Sequence, residues 1–148
     1  MEQNLDGFLV EHRKVSRFPA STGGGWIGVD LDGTLAEYHG WNDGKIGPPI
    51  PAMVERVKRW LDEGKTVKIL TARVSSSGHY SLESKRFADA EFVFEQHKAI
   101  LRWCIAVFGC PLEVTASKDF KMIELWDDRA VTVEPNTGKI LTEGVKNG

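Results

Sequence analysis

Four short apolar runs in this chain each break off at polar residues, and that pattern constrains the fold more than any other feature of the sequence. The runs are Trp26 to Leu31, ended by Asp32-Gly33-Thr34; Val67 to Leu70, ended by Thr71; Leu112 to Thr115, with Lys118 just beyond; and Met122 to Trp126, ended by Asp127-Asp128. Short apolar runs bounded by turn residues read as buried strands. Between the first two, Met53, Val54, Val57, Trp60 and Leu61 recur on one face of a helix. It starts near Pro51, a favoured first-turn residue, and stops at Gly64. Between the second and third, a loop at Ser75 to Gly78 leads into a long helical region, whole or broken, from about Leu82 to Phe108, closed by Gly109 and Pro111. Val131-Thr132-Val133 and Ile140-Leu141 flank Pro135-Asn136-Thr137-Gly138 as a terminal hairpin or a strand and turn. Strands that alternate with helices predict a mostly parallel sheet with right-handed crossovers.

The 148 residues suit one domain, and 41% apolar with 27% charged residues is the balance of an ordinary globular chain. Residues 1–24 are weakly patterned and end in Ser21-Thr22-Gly23-Gly24, so they read as an N-terminal extension to a domain at 25–148. A net charge of -2 gives no global basic field for nucleic acid, while leaving room for a local basic rim. Cys104 and Cys110 form no CxxC unit and have no histidine cluster, so they read as reduced core thiols. Nothing approaches the ~18 to 20 apolar residues of a membrane span, and the N-terminus lacks an apolar signal core. The expectation is a cytoplasmic protein with no membrane partner.

In a parallel sheet, ligands sit beyond the carboxyl ends of the strands, where these polar residues fall. Asp30 and Asp32 are two apart, which points both to one side while a strand lasts. Two carboxylates held together repel, so a cation or a proton must neutralise one of them. Mg2+ suits such a pair, being an oxygen-seeking ion that also contacts phosphate. Gly33 allows a sharp turn after the pair. The plainer reading of Asp-x-Asp-Gly is a surface turn, of Thr71 a strand-end residue, of Lys118 a solvated side chain, and of Asp127-Asp128 a turn cap.

Taken in order, the four strand ends resemble the motifs of the haloacid dehalogenase-like superfamily. Asp30-Leu31-Asp32-Gly33-Thr34 is similar to its DxDGT motif, Lys68-Ile69-Leu70-Thr71 to its second, Lys118 to its third, and Ile123 to Asp128 to its fourth. Pattern and resemblance together imply an α/β fold, a Rossmann-like three-layer sandwich around a mostly parallel sheet, and the resemblance implies a Mg2+-dependent phosphate monoester hydrolase. The resemblance makes Asp30 the nucleophile and Asp32 the acid that protonates the leaving oxygen and then activates water. It gives Thr71 and the amide of Ala72 to the phosphoryl oxygens, and makes Lys118 the charge that offsets them. Lys121 is the alternative lysine, closer to the strand. The metal falls to Asp30, the backbone carbonyl of Asp32, and the pair Asp127 and Asp128. Adjacent strand residues face opposite ways, so Asp128 is favoured as the direct ligand with Asp127 beside it, an order the sequence leaves open.

The gaps from Leu35 to Pro51 and from Arg73 to about Leu82 are too short for a folded cap, so no large cap domain is expected, only a flap carrying Trp41. The chain further resembles the phosphatase domain of phage-type polynucleotide kinases, in Asp30 to Ala36, in Arg73 after the second strand, and in Asp127-Asp128-Arg129. It lacks a P-loop, and the stretch from 73 to 118 matches poorly. That resemblance implies nucleotides or 3′-phosphate ends of nucleic acid as substrate. Arg73 and Arg129 would then clamp phosphate, and Trp41 would stack on a base. Against these stand a salt bridge for each arginine and packing on its own domain for Trp41. Trp26, Trp60, Trp103 and Trp126 read as core. The alternatives are a sugar-phosphate or other small-molecule phosphatase, a phospho-acceptor protein, and a non-catalytic metal-binding protein.

Overall fold

The computed structural model describes residues 24–75, 80–81, 86–87 and 90–142, with 80–81 and 86–87 described by their backbone alone. The expected N-terminal extension lies outside these residues except for Gly24. In order come β1 (Trp26–Val29), α1 (Pro51–Asp62), β2 (Thr66–Leu70), β3 (Tyr80–Ser81), β4 (Arg86–Phe87), α2 (Ala90–Phe108), β5 (Glu113–Thr115), β6 (Met122–Trp126), β7 (Thr132–Val133) and β8 (Ile140–Thr142).

The core is a four-stranded sheet in the order β5-β2-β1-β6, parallel at every pairing. β3 with β4 and β7 with β8 form small antiparallel pairs. The fold is α/β and compatible with a Rossmann-like sandwich, and no large cap domain is evident among the described residues. No described helix is long and apolar enough to cross a membrane.

Ile27 and Val29 of β1 stand opposite Val67 and Ile69 of β2, so these four share one face of the sheet. They belong to a single buried cluster with Met53, Val54, Val57, Trp60 and Leu61 of α1 and Ile100, Cys104 and Phe108 of α2. Both helices therefore lie on that face, as right-handed crossovers stepping outward from β1 to β2 to β5 require. α1 opens with Pro51, whose missing N–H costs a first turn nothing. It ends where Gly64 turns left-handed at φ +80°, and Lys65 N donates to Trp60 O at 2.9 Å to close a Schellman turn. Cys104 and Cys110 are buried and not joined in a disulfide, and burial pushes the Cys104 thiol up to about 12.

Two element boundaries differ from the sequence reading. The first apolar run is a strand only to Val29. The Leu31 carbonyl accepts from the amides of Thr34, Leu35 and Ala36, so the backbone is already wrapped into a turn there. The second helix starts at Ala90 and not near Leu82, because Arg86–Phe87 pairs with Tyr80–Ser81 and a backbone in a ladder cannot also make helical bonds. The loop expected over Ser75 to Gly78 falls mostly outside the described residues.

The return from β5 to β6 has no helix. Residues 116–121 must cross three strand spacings, roughly 14 Å, and also run from the carboxyl to the amino end of the sheet. Six extended residues would reach about 20 Å, and this strap closes a turn before β6, where Met122 N donates to Asp119 O at 3.1 Å. It passes Trp26, whose indole Nε1 donates to Asp119 Oδ1 at 2.9 Å, and meets the start of β1, where Trp26 N donates to Lys121 O.

Candidate functional site

The strand order reverses at β1. β2 and β5 lie to one side of it and β6 to the other, which opens a crevice at the carboxyl ends of β1 and β6. Asp30 follows β1, Asp127 and Asp128 follow β6, and Asp30 N donates to Trp126 O at 2.9 Å to tie the two ends together. Carboxylate oxygens of Asp30, Asp127 and Asp128 lie within 4.8 Å of one another, and this group could hold a metal ion. All three side chains are half-buried.

Hydrogen bonds fix the acids. Thr34 Oγ1 donates to Asp128 Oδ1 at 3.0 Å and accepts from Asp128 N at 2.9 Å, so one hydroxyl holds both ends of that residue. Asp127 Oδ1 accepts from Arg129 N at 2.7 Å. Gly33 sits at φ +91°, and a Cβ built there would stand 2.6 Å from Asp128 Oδ2. The turn therefore needs glycine twice, for its backbone angle and for the nearness of the carboxylate. Asp30 is pushed up from 3.8 to about 8, first by burial, then by its hydrogen bond with Asp128 and the charges of Asp127 and Asp128, with a Leu31 backbone hydrogen bond opposing. An acid this crowded favours either its proton or a cation.

Asp32 stands apart from that group, because its carboxylate is taken by Arg73. Arg73 Nε donates to Asp32 Oδ2 at 2.6 Å and Nη2 to Asp32 Oδ1 at 2.8 Å. The strand has ended before Asp30, so the period-two argument does not apply there, although both side chains line one cleft. Arg73 Nη1 also donates to Gly44 O at 2.7 Å and Gln96 Oε1 at 3.1 Å, and the Trp41 ring lies 4.9 Å from its Cζ.

A cleft of about 560 Å³ joins these parts. Asp30, Asp32 and Asp127 line it with Thr71, Ala72 and Arg129, and Tyr38, Trp41 and Phe92 form an aromatic side. The volume is that of a small-molecule pocket. Thr71 is buried, and its hydroxyl accepts from Arg73 N at 3.2 Å, which caps the 3-10 turn Ala72–Val74. Arg129 is exposed, and its guanidinium makes no ion pair among the described residues.

No protein family matches the chain, and no curated protein does. The chain is similar to a solved structure of a conserved protein from Bacteroides thetaiotaomicron, with 23% identity and a TM-score of 0.47. The match covers 73% of this chain and 78% of that one.

The lysines are where geometry and sequence reading part. Lys118 does not line the cleft, which takes Ala116 from the same strap. The strap has by then crossed toward Asp119 and the Trp26 indole. Lys121 meets the amino end of β1, the end opposite Asp30. Trp41 is 44% exposed but packs on its own domain, against Arg73 and against Phe92, whose ring centroid is 6.0 Å away. Sequence reasoning named neither Gln96 nor Phe92, which α2 brings across the fold, and gave Thr34 no task. The last carried a signal, since a hydroxyl directly after Asp-x-Asp-Gly is placed to reach whatever lies over the turn.

Proposed function

We propose that the chain is a Mg2+-dependent phosphate monoester hydrolase working through an aspartyl-phosphate on Asp30, as the resemblance to haloacid dehalogenase-like enzymes implies. The observation that carries this reading is the meeting of Asp30, Asp127 and Asp128 beside Asp32 and Thr71 in one cleft. The donor set is three carboxylates, hard oxygen ligands that suit Mg2+ over softer metals. Asp30, Asp127 and Asp128 would hold the ion, which supplies positive charge to the nucleophile and the phosphoryl oxygens.

An Asp30 oxygen attacks phosphorus, and the bond to the leaving oxygen breaks as that oxygen takes a proton from Asp32. Water then attacks the aspartyl-phosphate, gives its proton to Asp32, and releases phosphate and the Asp30 carboxylate. Thr71 and the Ala72 amide bind phosphoryl oxygens. Arg129, charged, exposed and on the cleft, takes the charge-offsetting part that the resemblance gives to Lys118. Tyr38 and Phe92 offer aromatic surface to a planar group, which favours nucleotides or 3′-phosphate ends over sugar phosphates.

Phosphate release is to be followed with and without Mg2+ from 4-nitrophenyl phosphate, nucleoside 3′- and 5′-monophosphates, 3′-phosphorylated oligonucleotides and sugar phosphates. The expected result is metal-dependent turnover that Asp30→Asn reduces to background without unfolding the protein. Unchanged turnover in that variant rejects the nucleophile, and no turnover on any ester rejects the hydrolase.

A further inference from the structure

We infer that Arg73 is a positioning residue for Asp32 and not a clamp for substrate. This rests on the hydrolase reading, in which Asp32 transfers the proton. Both residues line the cleft, but the Arg73 side chain is 3% exposed against 20% for Asp32, so the acid is the more open of the two. A guanidinium has five N–H donors. Nε and Nη2 are spent on the two oxygens of Asp32, and Nη1 on Gly44 O and Gln96 Oε1. The Trp41 ring covers the guanidinium. No pair of donors is left to grip a phosphate, and turning the fork outward would strand Asp32 without its partner.

A planar fork fixes a carboxylate in direction as well as in place. The fork takes one lone pair on each Asp32 oxygen and leaves others on a carboxylate that lines the cleft, where the leaving oxygen must receive its proton. The brace draws on three parts of the chain: the 3-10 turn after β2 supplies Arg73, the flap supplies Gly44 and Trp41, and α2 supplies Gln96.

The test compares kcat/KM, which reports steps up to cleavage of the ester, for two substrates. 4-Nitrophenyl phosphate has a leaving group that departs without help, whereas an alkyl phosphate needs its oxygen protonated. General acid catalysis contributes roughly 10² to 10⁴-fold. Arg73→Met is expected to cost the alkyl ester about 10²-fold and the aryl ester at least about tenfold less. Arg73→Lys, a point charge without the fork, and Gln96→Met, which loosens the fork while leaving Asp32 and its charge in place, show the same bias to a smaller degree. Equal losses on both esters overturn the inference. Weakened inhibition by inorganic phosphate would then make Arg73 a clamp, and unchanged inhibition a purely structural residue. If the wild type hydrolyses neither ester, the hydrolase reading falls, and the pairing is judged by the Arg73 Nε–H signal in NMR. A signal shifted by Asp32→Asn and not by Asp30→Asn keeps the pairing, and one that ignores Asp32→Asn overturns it.

Discussion

Thr34 shows how one hydroxyl can order a carboxylate in a group that could hold a metal ion. It donates to Asp128 Oδ1 and accepts from Asp128 N, which fixes the carboxylate against the turn that carries Asp30. Outer partners of this kind change metal affinity about 10 to 100-fold when lost. Thr34→Val keeps the shape and removes both bonds, so calorimetric titration should show Mg2+ binding weakened by about that factor while the fold persists. The acids were legible in the sequence because each ends an apolar run, and runs that end in Asp are visible without coordinates. The placing of the lysine was not, since its position depends on how a six-residue strap crosses the sheet. The partner of Arg73 was open at the sequence level, where a salt bridge and a phosphate clamp use the same guanidinium. The partners and the burial of that guanidinium bear on the choice.

Among the elements, α2 carries both stability and site geometry. Ile100, Cys104 and Phe108 enter the core, while Gln96, one turn before Ile100, reaches Arg73, and Phe92 reaches the cleft. Ile100 is fully buried, so Ile100→Ala should cost about 2 to 5 kcal/mol in urea unfolding, by lost burial plus the cavity left behind. β6 and the end of α1 were readable because a five-residue run with four apolar residues before two acids, and five apolar residues on one helical face before a glycine, each admit one interpretation. The start of α2 was not. Residues 86 and 87 are given to an antiparallel pair by their partner at 80–81, a contact that no local periodicity carries.

At the scale of the molecule, the crowding of acids at the switch point ties stability to pH and to metal. The Asp30 carboxyl, raised from 3.8 to about 8, takes up a proton on folding. Its contribution is fully present below about pH 4 and is lost as pH rises through about 8. With chelator present, the melting temperature should therefore fall between pH 5 and pH 8, and Asp30→Asn should flatten the fall. Saturating Mg2+ should restore stability at pH 8, since an ion bound only by the folded state shifts the balance by mass action. A melting temperature that ignores both Mg2+ and Asp30→Asn would reject the metal centre.

Thr34 and Asp128 are 94 residues apart in sequence, yet they close one turn upon the other. The central strand is among the first parts of the sheet to leave the ribosome and its neighbour β6 the last, so the acids cannot meet until the final strand has docked at the edge. Contacts this distant along the chain form slowly, because the loop must be closed before they repay it. A cation bridging Asp30 to Asp127 and Asp128 would then act as a latch on that last strand, and amide exchange along Met122–Trp126 should slow when Mg2+ is added.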